Sequence, residues 1–585
     1  MNNVKKIQRW LELNNFDFFL VPHNDEFQSE YTAKYAKRLN WITSFSGSYG
    51  IAIISKKKSI LFVDGRYTIQ ARKEVNNKFF YIKNISNFSK WIKNNFCKNK
   101  TVCIDPTLHT KHNLKLILSL YKKKNIDLKF LNKNPIDQYW KNKPHRPYSN
   151  SFLHKLIYSG QTSVEKINKI IKFLKRNRCN FYILLNLESI SWLLNLKGND
   201  FKFTPLNISY LIINISRQKK VSLFISKKKI KNTESKLKEV CNIYDLDYVS
   251  NYLKRIKKNS IIGIDKNATS IYFENLLKEN NLKIKYLEDP CLIPKSIKNK
   301  TEIRGAKKAN LRDSVSMTKF IYWIKNKMII KNTTELVAAK KALFYRKSNK
   351  NFFSLSFETI SALGKNSAMP HYIPNQKNNK KFINNSIYLI DSGTQYFDGT
   401  TDMTRTIIIG KASIEQKSKF TRVLKGHISV ATRVFSKKSK GNDLDNLARK
   451  SLLEINENYN HSTGHGVGSF SSVHELPFRI SKIKNKHYFN SGIILSNEPA
   501  YYKKMKYGIR IENLLLIKDF NYKSYCFDIL TYVPIDKDLI MIELLNQEEI
   551  SWINNYHKKV YDLVHIYLNN EQNKWLFKVT SPLKI

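Results

Sequence analysis

The chain has 585 residues, of which 42% are hydrophobic, including 33 Phe, 32 Tyr and 8 Trp, a composition that fills several cores and excludes a disordered chain. With only 18 Gly and 14 Pro it is neither fibrous nor of low complexity. The net charge of +56 suits a polyanion partner, but the lysines are scattered among Asn and Ile residues along the whole chain instead of forming one stripe. That is the pattern of a compositional drift, so no nucleic-acid partner is expected. Cys97, Cys103, Cys179, Cys241, Cys291 and Cys526 lie far apart without a CxxC pair, which indicates neither a disulfide framework nor a cysteine metal site. No run of roughly 18 apolar residues is free of charge, so no membrane partner is expected. The stretch after the first lysines is broken by Glu12, Asn14, Asn15 and Asp17, unlike an export signal, and a cytoplasmic location is the expectation.

In chain order, the first segment alternates strand-like pieces (18–21, 51–54, 60–63, 101–104) with helical patterns (4–13, 113–123), the rhythm of an α/β domain over residues 1–147. A proline-bearing junction, Lys141 to Pro147, reads as a linker. A second α/β domain of similar type, 148–297, opens with a helix start: Thr162 and Glu165 fit a capping box, and Ile167, Ile170, Ile171 and Leu174 form one apolar face. Strand-like runs follow at 181–184, 210–213, 222–225 and 260–264. The stretch from Asp289 through Pro294 to Thr301 reads as another linker. The third segment, 298–520, begins with long helices (302–327, 335–345) and changes to short strands with Gly-containing turns. Residues 521–585 form a C-terminal extension.

The candidate chemistry lies in the third segment. The apolar run 387–390 ends at Asp391, the run 404–409 follows Asp402, and Asp398-Gly399 between them supplies hairpin turn chemistry. A second pair repeats the device: 493–495 leads to Glu498, and a strand over 509–516 carries Glu512 and, on the same face, Arg510. Carboxylates at the ends of apolar strands are costly to bury unless something positive neutralises them, and two divalent cations would do so. Oxygen ligands suit Mn²⁺ or Mg²⁺, and one imidazole widens the choice to Co²⁺, Zn²⁺ and Fe²⁺. That imidazole has a candidate in the segment 461–468, where glycines flank His465 and let the backbone approach closely. Arg510 reads as an ion-pair partner that orients the carboxylates.

These residues, Asp391-Ser392-Gly393 through Asp402-Met403-Thr404-Arg405-Thr406, Thr463-Gly464-His465-Gly466-Val467-Gly468, Asn497-Glu498-Pro499 and Ile511-Glu512-Asn513, resemble those of aminopeptidase P, the Xaa-Pro aminopeptidases of the pita-bread metallopeptidases. Gln28-Ser29-Glu30-Tyr31 and Asp64-Gly65-Arg66-Tyr67 are similar to the family's N-terminal domain, and Glu548 to His557 to the C-terminal extension of its long, three-domain branch. The resemblance implies two creatinase-like N-terminal domains, a pita-bread catalytic domain with the extension packed on it, and a homodimer. It implies that Asp391, Asp402, His465, Glu498 and Glu512 hold two metal ions, usually manganese, with zinc and cobalt as alternatives. Asp402 and Glu512 would bridge both ions, Asp391 would complete one site, and His465 with Glu498 the other. The substrate would be a peptide with proline in second position, cut ahead of that proline by a metal-bound hydroxide. Glu498 would move the proton, and His371, His461 and His474 would line the substrate pocket and assist catalysis.

Proline specificity rests on the resemblance alone, although a bond to proline lacks an N–H and suits few general proteases. Ala500 and Ser462 stand where the family commonly has glycine, and an alanine held at positive φ would cost about 1 kcal/mol. A metal-free pita-bread protein that binds nucleic acid has only the +56 charge in its favour, against the presence of all five ligand types. A creatine-type amidinohydrolase would dispense with the carboxylate set, and a prolidase confined to dipeptides is disfavoured by the length and the tail.

Overall fold

The computed structural model describes residues 2–124, 126–216, 220–328 and 332–583. By its internal contacts the chain forms two units, one of Met1–His154 with Gln161–Cys291 and the other of Lys155–Gly160 with Leu292–Ile585.

The first unit contains two six-stranded sheets. In chain order the first is built from β1 (Phe18–Pro22), β2 (Gly50–Ser55), β3 (Ser59–Val63), β4 (Phe80–Asn84), β5 (Thr101–Ile104) and β6 (Asp127–Phe130). The second is built from β7 (Phe181–Leu184), β8 (Tyr210–Asn214), β9 (Val221–Phe224), β10 (Asn242–Tyr244), β11 (Ile261–Ile264) and β12 (Lys283–Tyr286). Their spatial orders are β4-β3-β2-β1-β5-β6 and β10-β9-β8-β7-β11-β12. The pairings match too: the first three strands of each form an antiparallel meander, and the remaining contacts are parallel. The two domains therefore share one wiring, where the sequence shows only a coarse likeness of rhythm.

The four strands that the hydrophobic pattern does not announce, β4, β6, β10 and β12, are the four sheet edges. An edge strand is covered on fewer sides and keeps polar residues, as Lys83, Lys129 and Lys283 show, so it lacks an apolar run. The helix Ser163–Arg176 forms where expected, with both capping-box bonds between Thr162 and Glu165 present and Ile167, Ile170, Ile171 and Leu174 buried.

In the second unit, the stretch expected to be a linker is instead structured. Leu292–Ser296 is helical, and Lys295 and Lys298 are buried against Glu475, Lys295 at 3.1 Å. Two ammonium groups are what a buried carboxylate needs, and the polar composition that suggested solvent exposure serves this pairing instead. Asn299 then caps the helix Lys300–Tyr322, which runs into a π-helical turn, Trp323–Lys327, before the helix Glu335–Lys347. Next come β13 (Ile360–Leu363), β14 (Ser386–Ser392), β15 (Thr394–Tyr396), β16 (Gly399–Thr400) and β17 (Met403–Ile409). A six-stranded sheet follows, with β18 (Phe435–Ser436), β19 (Gly464–Gly466), β20 (Glu475–Ile480), β21 (Ile494–Asn497), β24 (Asn513–Asp519) and β25 (Ser524–Ile529), while β22 (Ala500–Lys503) pairs with β23 (Tyr507–Arg510). The helix Ile414–Ala431 lays Phe420 and Leu424 into one core with Ile509 and Ile511, and Ile553, Tyr556 and Val560 of the helix Gln547–Val564 complete that core.

Candidate metal centre

Each carboxylate pair sits where a hairpin ladder is interrupted. β14 pairs with β17, Asp391 facing Thr404, and the hairpin continues as β15 with β16 only after a break at Gly393 and at Thr401-Asp402. A Cβ at Gly393 would lie 2.0 Å from the Thr401 carbonyl oxygen, so the crossing of the chains there requires glycine. The turn itself is Phe397-Asp398, one residue earlier than expected, because Gly399 already pairs with Tyr396. The second hairpin has the same construction. β21 pairs with β24 up to Asn497 and Asn513, β22 pairs with β23 from Ala500 and Arg510, and Glu498-Pro499 faces Ile511-Glu512 in the gap. The single strand expected over 509–516 is thus split at Ile511-Glu512. Proline has no N–H to continue a ladder, and only a 3.4 Å bond from the Ile511 N–H to the Pro499 carbonyl spans the gap.

The two hairpins meet at these breaks. The Glu512 N–H donates to the Thr404 carbonyl at 3.1 Å, the Thr404 hydroxyl donates to Glu512 Oε2 at 2.7 Å, and the Arg510 N–H donates to Thr406 Oγ1 at 3.0 Å. One ligand atom each of Asp402, His465 and Glu512 lie within 4.8 Å of one another. His465 Nε2 is 3.4 Å from Asp402 Oδ2 and 3.6 Å from Glu498 Oε1. His465 reaches this point on β19 because it is flanked by glycines: a Cβ at Gly464 would meet the Ser496 carbonyl at 2.0 Å, and one at Gly466 the Glu475 carbonyl at 2.4 Å. Ala500 and Ser462 both avoid positive φ, so neither carries the backbone strain that an absent glycine would bring.

Asp391 is joined through Arg510, whose Nη2 donates to Asp391 Oδ2 at 2.6 Å, while Asp391 Oδ1 is buried without a hydrogen-bond partner. The same guanidinium donates from Nε to Thr404 Oγ1 at 3.1 Å and from Nη1 to the Tyr502 hydroxyl at 2.5 Å. Tyr502 in turn lies 2.9 Å from His461 Nε2, which makes a chain His461, Tyr502, Arg510, Asp391. The His474 ring centroid is 4.3 Å from that of His465. His371 is half-buried beside Pro370, whose carbonyl accepts from Arg510 Nη2 at 3.4 Å.

Electrostatically the cluster is overloaded with acid. Burial raises Asp391 to about 7, with Arg510 opposing and the charges of Asp402 and Glu498 adding to the rise. Burial also raises Glu498, and lifts Glu512 well above the usual carboxylate range with help from Asp402, Glu498 and Asp391. His465 goes to about 9: burial opposes its charge, but the Asp402 hydrogen bond and the Glu498 and Asp402 charges outweigh it. Buried carboxylates that crowd together in this way call for cations. An oxygen-rich set with a single imidazole, and a buried carboxylate oxygen that finds no hydrogen bond among the described residues, fit a pair of divalent ions.

Three groups escaped the sequence analysis. Tyr502 carries no motif. His427 is buried behind the second hairpin, 3.1 Å from the Asn497 carbonyl and 3.2 Å from Asn513 Nδ2. Arg405, on β17, donates to the carbonyls of Thr404, Glu512, Val533 and Pro534, to Asn513 Oδ1 and to the Tyr556 hydroxyl. For all three the signal is spatial, since each has partners tens of residues or more away in sequence: His461 for Tyr502, Asn497 and Asn513 for His427, and Glu512, Val533 and Tyr556 for Arg405.

Comparison with known proteins places this arrangement. Residues 304–519 match the model of metallopeptidase family M24, 3–131 and 142–302 match creatinase/prolidase N-terminal domains, and 523–583 match the C-terminal region of peptidase M24. The chain is 35% identical to Xaa-Pro aminopeptidase 1 of Dictyostelium discoideum over 99% of this chain and 96% of that one. It is 32% identical to aminopeptidase P2 of Arabidopsis thaliana over 97% and 86%. Among solved structures it superposes on an X-prolyl aminopeptidase of Caenorhabditis elegans, described as a cytosolic enzyme with a di-nuclear active site, with a TM-score of 0.93, 29% identity and 99% of both chains covered. With that likeness running through every domain, the chain belongs to the Xaa-Pro aminopeptidases of metallopeptidase family M24.

Proposed function

We propose that this protein releases the N-terminal residue of peptides whose second residue is proline, and that Asp391, Asp402, His465, Glu498 and Glu512 hold two divalent ions, in the cell manganese. The observation that carries the proposal is the convergence of Asp402, His465 and Glu512 within 4.8 Å, together with a buried Asp391 oxygen that has no hydrogen-bond partner among the described residues. Asp402 and Glu512, at the facing hairpin breaks, would hold the ions together with Asp391, His465 and Glu498. When bound, such an ion pair supplies Lewis-acid polarisation of the scissile carbonyl and a water of lowered pKa. The remaining work falls to side chains. Glu498 accepts the proton of the attacking water at a carboxylate oxygen and returns it to the departing proline nitrogen. His474, beside His465, and His371, beside Pro370, offer imidazoles to the substrate, and His461 anchors the chain that orients Asp391. The protein acts in the cytoplasm, a reading supported by the C. elegans structure's description as cytosolic, and as a homodimer, which rests on the family resemblance alone.

The test uses metal-stripped protein and an Xaa-Pro-Yaa tripeptide, with Mn²⁺, Co²⁺, Zn²⁺ and Mg²⁺ restored separately. Mn²⁺ restores turnover best, and Asp402→Ala and Glu512→Ala each lose both activity and bound metal. Full activity in either variant, or cleavage of Xaa-Pro dipeptides but not of the tripeptide, overturns the assignment.

A further inference from the structure

A cavity of about 530 Å³ lies within the first unit, lined by residues of both of its domains. Its lining contains two buried charged residues that are only partly satisfied. Arg38, 6% exposed, donates Nε and Nη2 to Asp137 at 2.9 and 2.8 Å and leaves Nη1 without a partner. Glu26, 9% exposed, accepts at Oε1 from the Tyr35 hydroxyl at 2.8 Å and from Arg146 at 3.3 Å, and leaves Oε2 without a partner. The adjacent Asp25 is fully buried, and burial together with the Glu26 charge raises it to about 7. Buried polar atoms of this kind are ordinarily satisfied, so one unpartnered cationic donor and one unpartnered anionic acceptor, on two residues that line the same cavity, point to something that supplies the opposite of each.

The lining also excludes alternatives. Three cationic side chains (Arg38, Lys133 and Arg146) face four carboxylates (Glu26, Asp105, Asp137 and Asp247), a balance that suits neither a polyanion nor a free cation. The rest of the wall includes Tyr210, Leu246, Val249, Tyr272 and Phe273, which would receive an apolar group. The volume is that of an ordinary small-ligand site. We propose that this cavity binds a small amino-carboxylate zwitterion with an apolar side chain, an amino acid or a dipeptide, its carboxylate on Arg38 and its ammonium group on Glu26. The site is separate from the metal centre, and its existence does not depend on the reaction proposed above.

Isothermal titration of the full-length, Mn²⁺-loaded protein tests this. The probes are L-leucine and leucyl-leucine, which lacks proline, together with N-acetyl-leucine and leucinamide, each missing one charge. The expected result is a Kd of about 1 mM or tighter for one of the two zwitterions, which also fixes the size of the ligand, and binding weaker by at least about tenfold for both blocked forms. Glu26→Gln should weaken the zwitterion and leucinamide by about tenfold and leave N-acetyl-leucine unchanged; Arg38→Gln should do the reverse. If Arg38→Gln fails to fold, Glu26→Gln and the blocked ligands still decide the matter. Binding that survives Glu26→Gln, binding indifferent to either block, or no binding of either zwitterion up to about 20 mM overturns the proposal.

Discussion

Tyr502 has one hydroxyl and two polar neighbours in the site, His461 Nε2 at 2.9 Å and Arg510 Nη1 at 2.5 Å, and Arg510 in turn holds Asp391. Its role is to fix orientation: without the hydroxyl, the guanidinium keeps Thr404, Asp391 and the Pro370 carbonyl but loses the partner of Nη1. Tyr502→Phe should therefore leave metal content intact and lower kcat/KM by about tenfold, the scale on which loss of such an outer partner acts. Unchanged kinetics, measured with metal analysis on the same sample, would remove Tyr502 from the positioning chain. The contrast between Tyr502 and the proposed ligands shows what a sequence reveals at this scale. Asp391, Asp402 and Glu498 border apolar runs, Glu512 lies within one and His465 sits between glycines, and with the family's motifs that made them nameable. Tyr502 and His427 lie amid ordinary strand and helix residues, and only their distances to the site mark them.

At the scale of elements, the hairpin breaks decide the geometry. A strand that continued through Ile511-Glu512 would pass its hydrogen bonds along the ladder; the interruption instead sends the Glu512 N–H to Thr404 on the other hairpin. Arg405 reinforces that junction. Its side chain is buried and its six acceptors are all neutral oxygens, four of them backbone carbonyls from three separate segments. Arg405→Met fills similar space and leaves the Glu512 and Pro534 carbonyls without their donor, while the Thr404 and Val533 carbonyls keep the Glu512 N–H and the Tyr556 hydroxyl, so it should cost about 3 to 5 kcal/mol in denaturant unfolding. A loss below about 1 kcal/mol would mean that the carbonyls find other donors and the clamp is dispensable. The hairpins were legible in the sequence, but their interruptions were not, because apolar periodicity runs through 509–516 whether or not the ladder does. The buried Lys295 and Lys298 were hidden for a related reason: composition makes a lysine-rich stretch look solvated, and only Glu475, far along the chain, reveals otherwise.

For the whole molecule, the C-terminal segment shares its core with the metal-bearing hairpins. Within that segment His557 Nε2 accepts the N–H of Ile535, a member of the shared core, at 3.1 Å, which requires an unprotonated ring. Burial lowers its pKa to about 3, with the charges of Lys537 and Arg405 adding to the shift. The folded value lies below that of an unfolded histidine, so this stability is fully present above about pH 6.5 and is lost as pH falls toward the folded value. His557→Gln, which can still accept that bond, should reduce the loss of stability between pH 7 and pH 5 by about 2 kcal/mol relative to the parent. The comparison cancels the opposing response of the crowded carboxylates, which both proteins share. Parallel curves would show that the ring already takes up its proton in the native state.

The duplicated wiring of the first unit bears on how the protein is made. In both sheets the earliest strand is central, and its parallel neighbour arrives only after a long excursion: Phe18 waits for Val102, and Phe181 for Ile262, each roughly 80 residues later. A nascent chain thus holds an open meander with a bare inner edge for most of the synthesis of each domain, twice in succession. The lysines strewn along its length would keep such half-built sheets apart by charge repulsion during that interval, a role in assembly for a surplus that the finished enzyme has no evident need of.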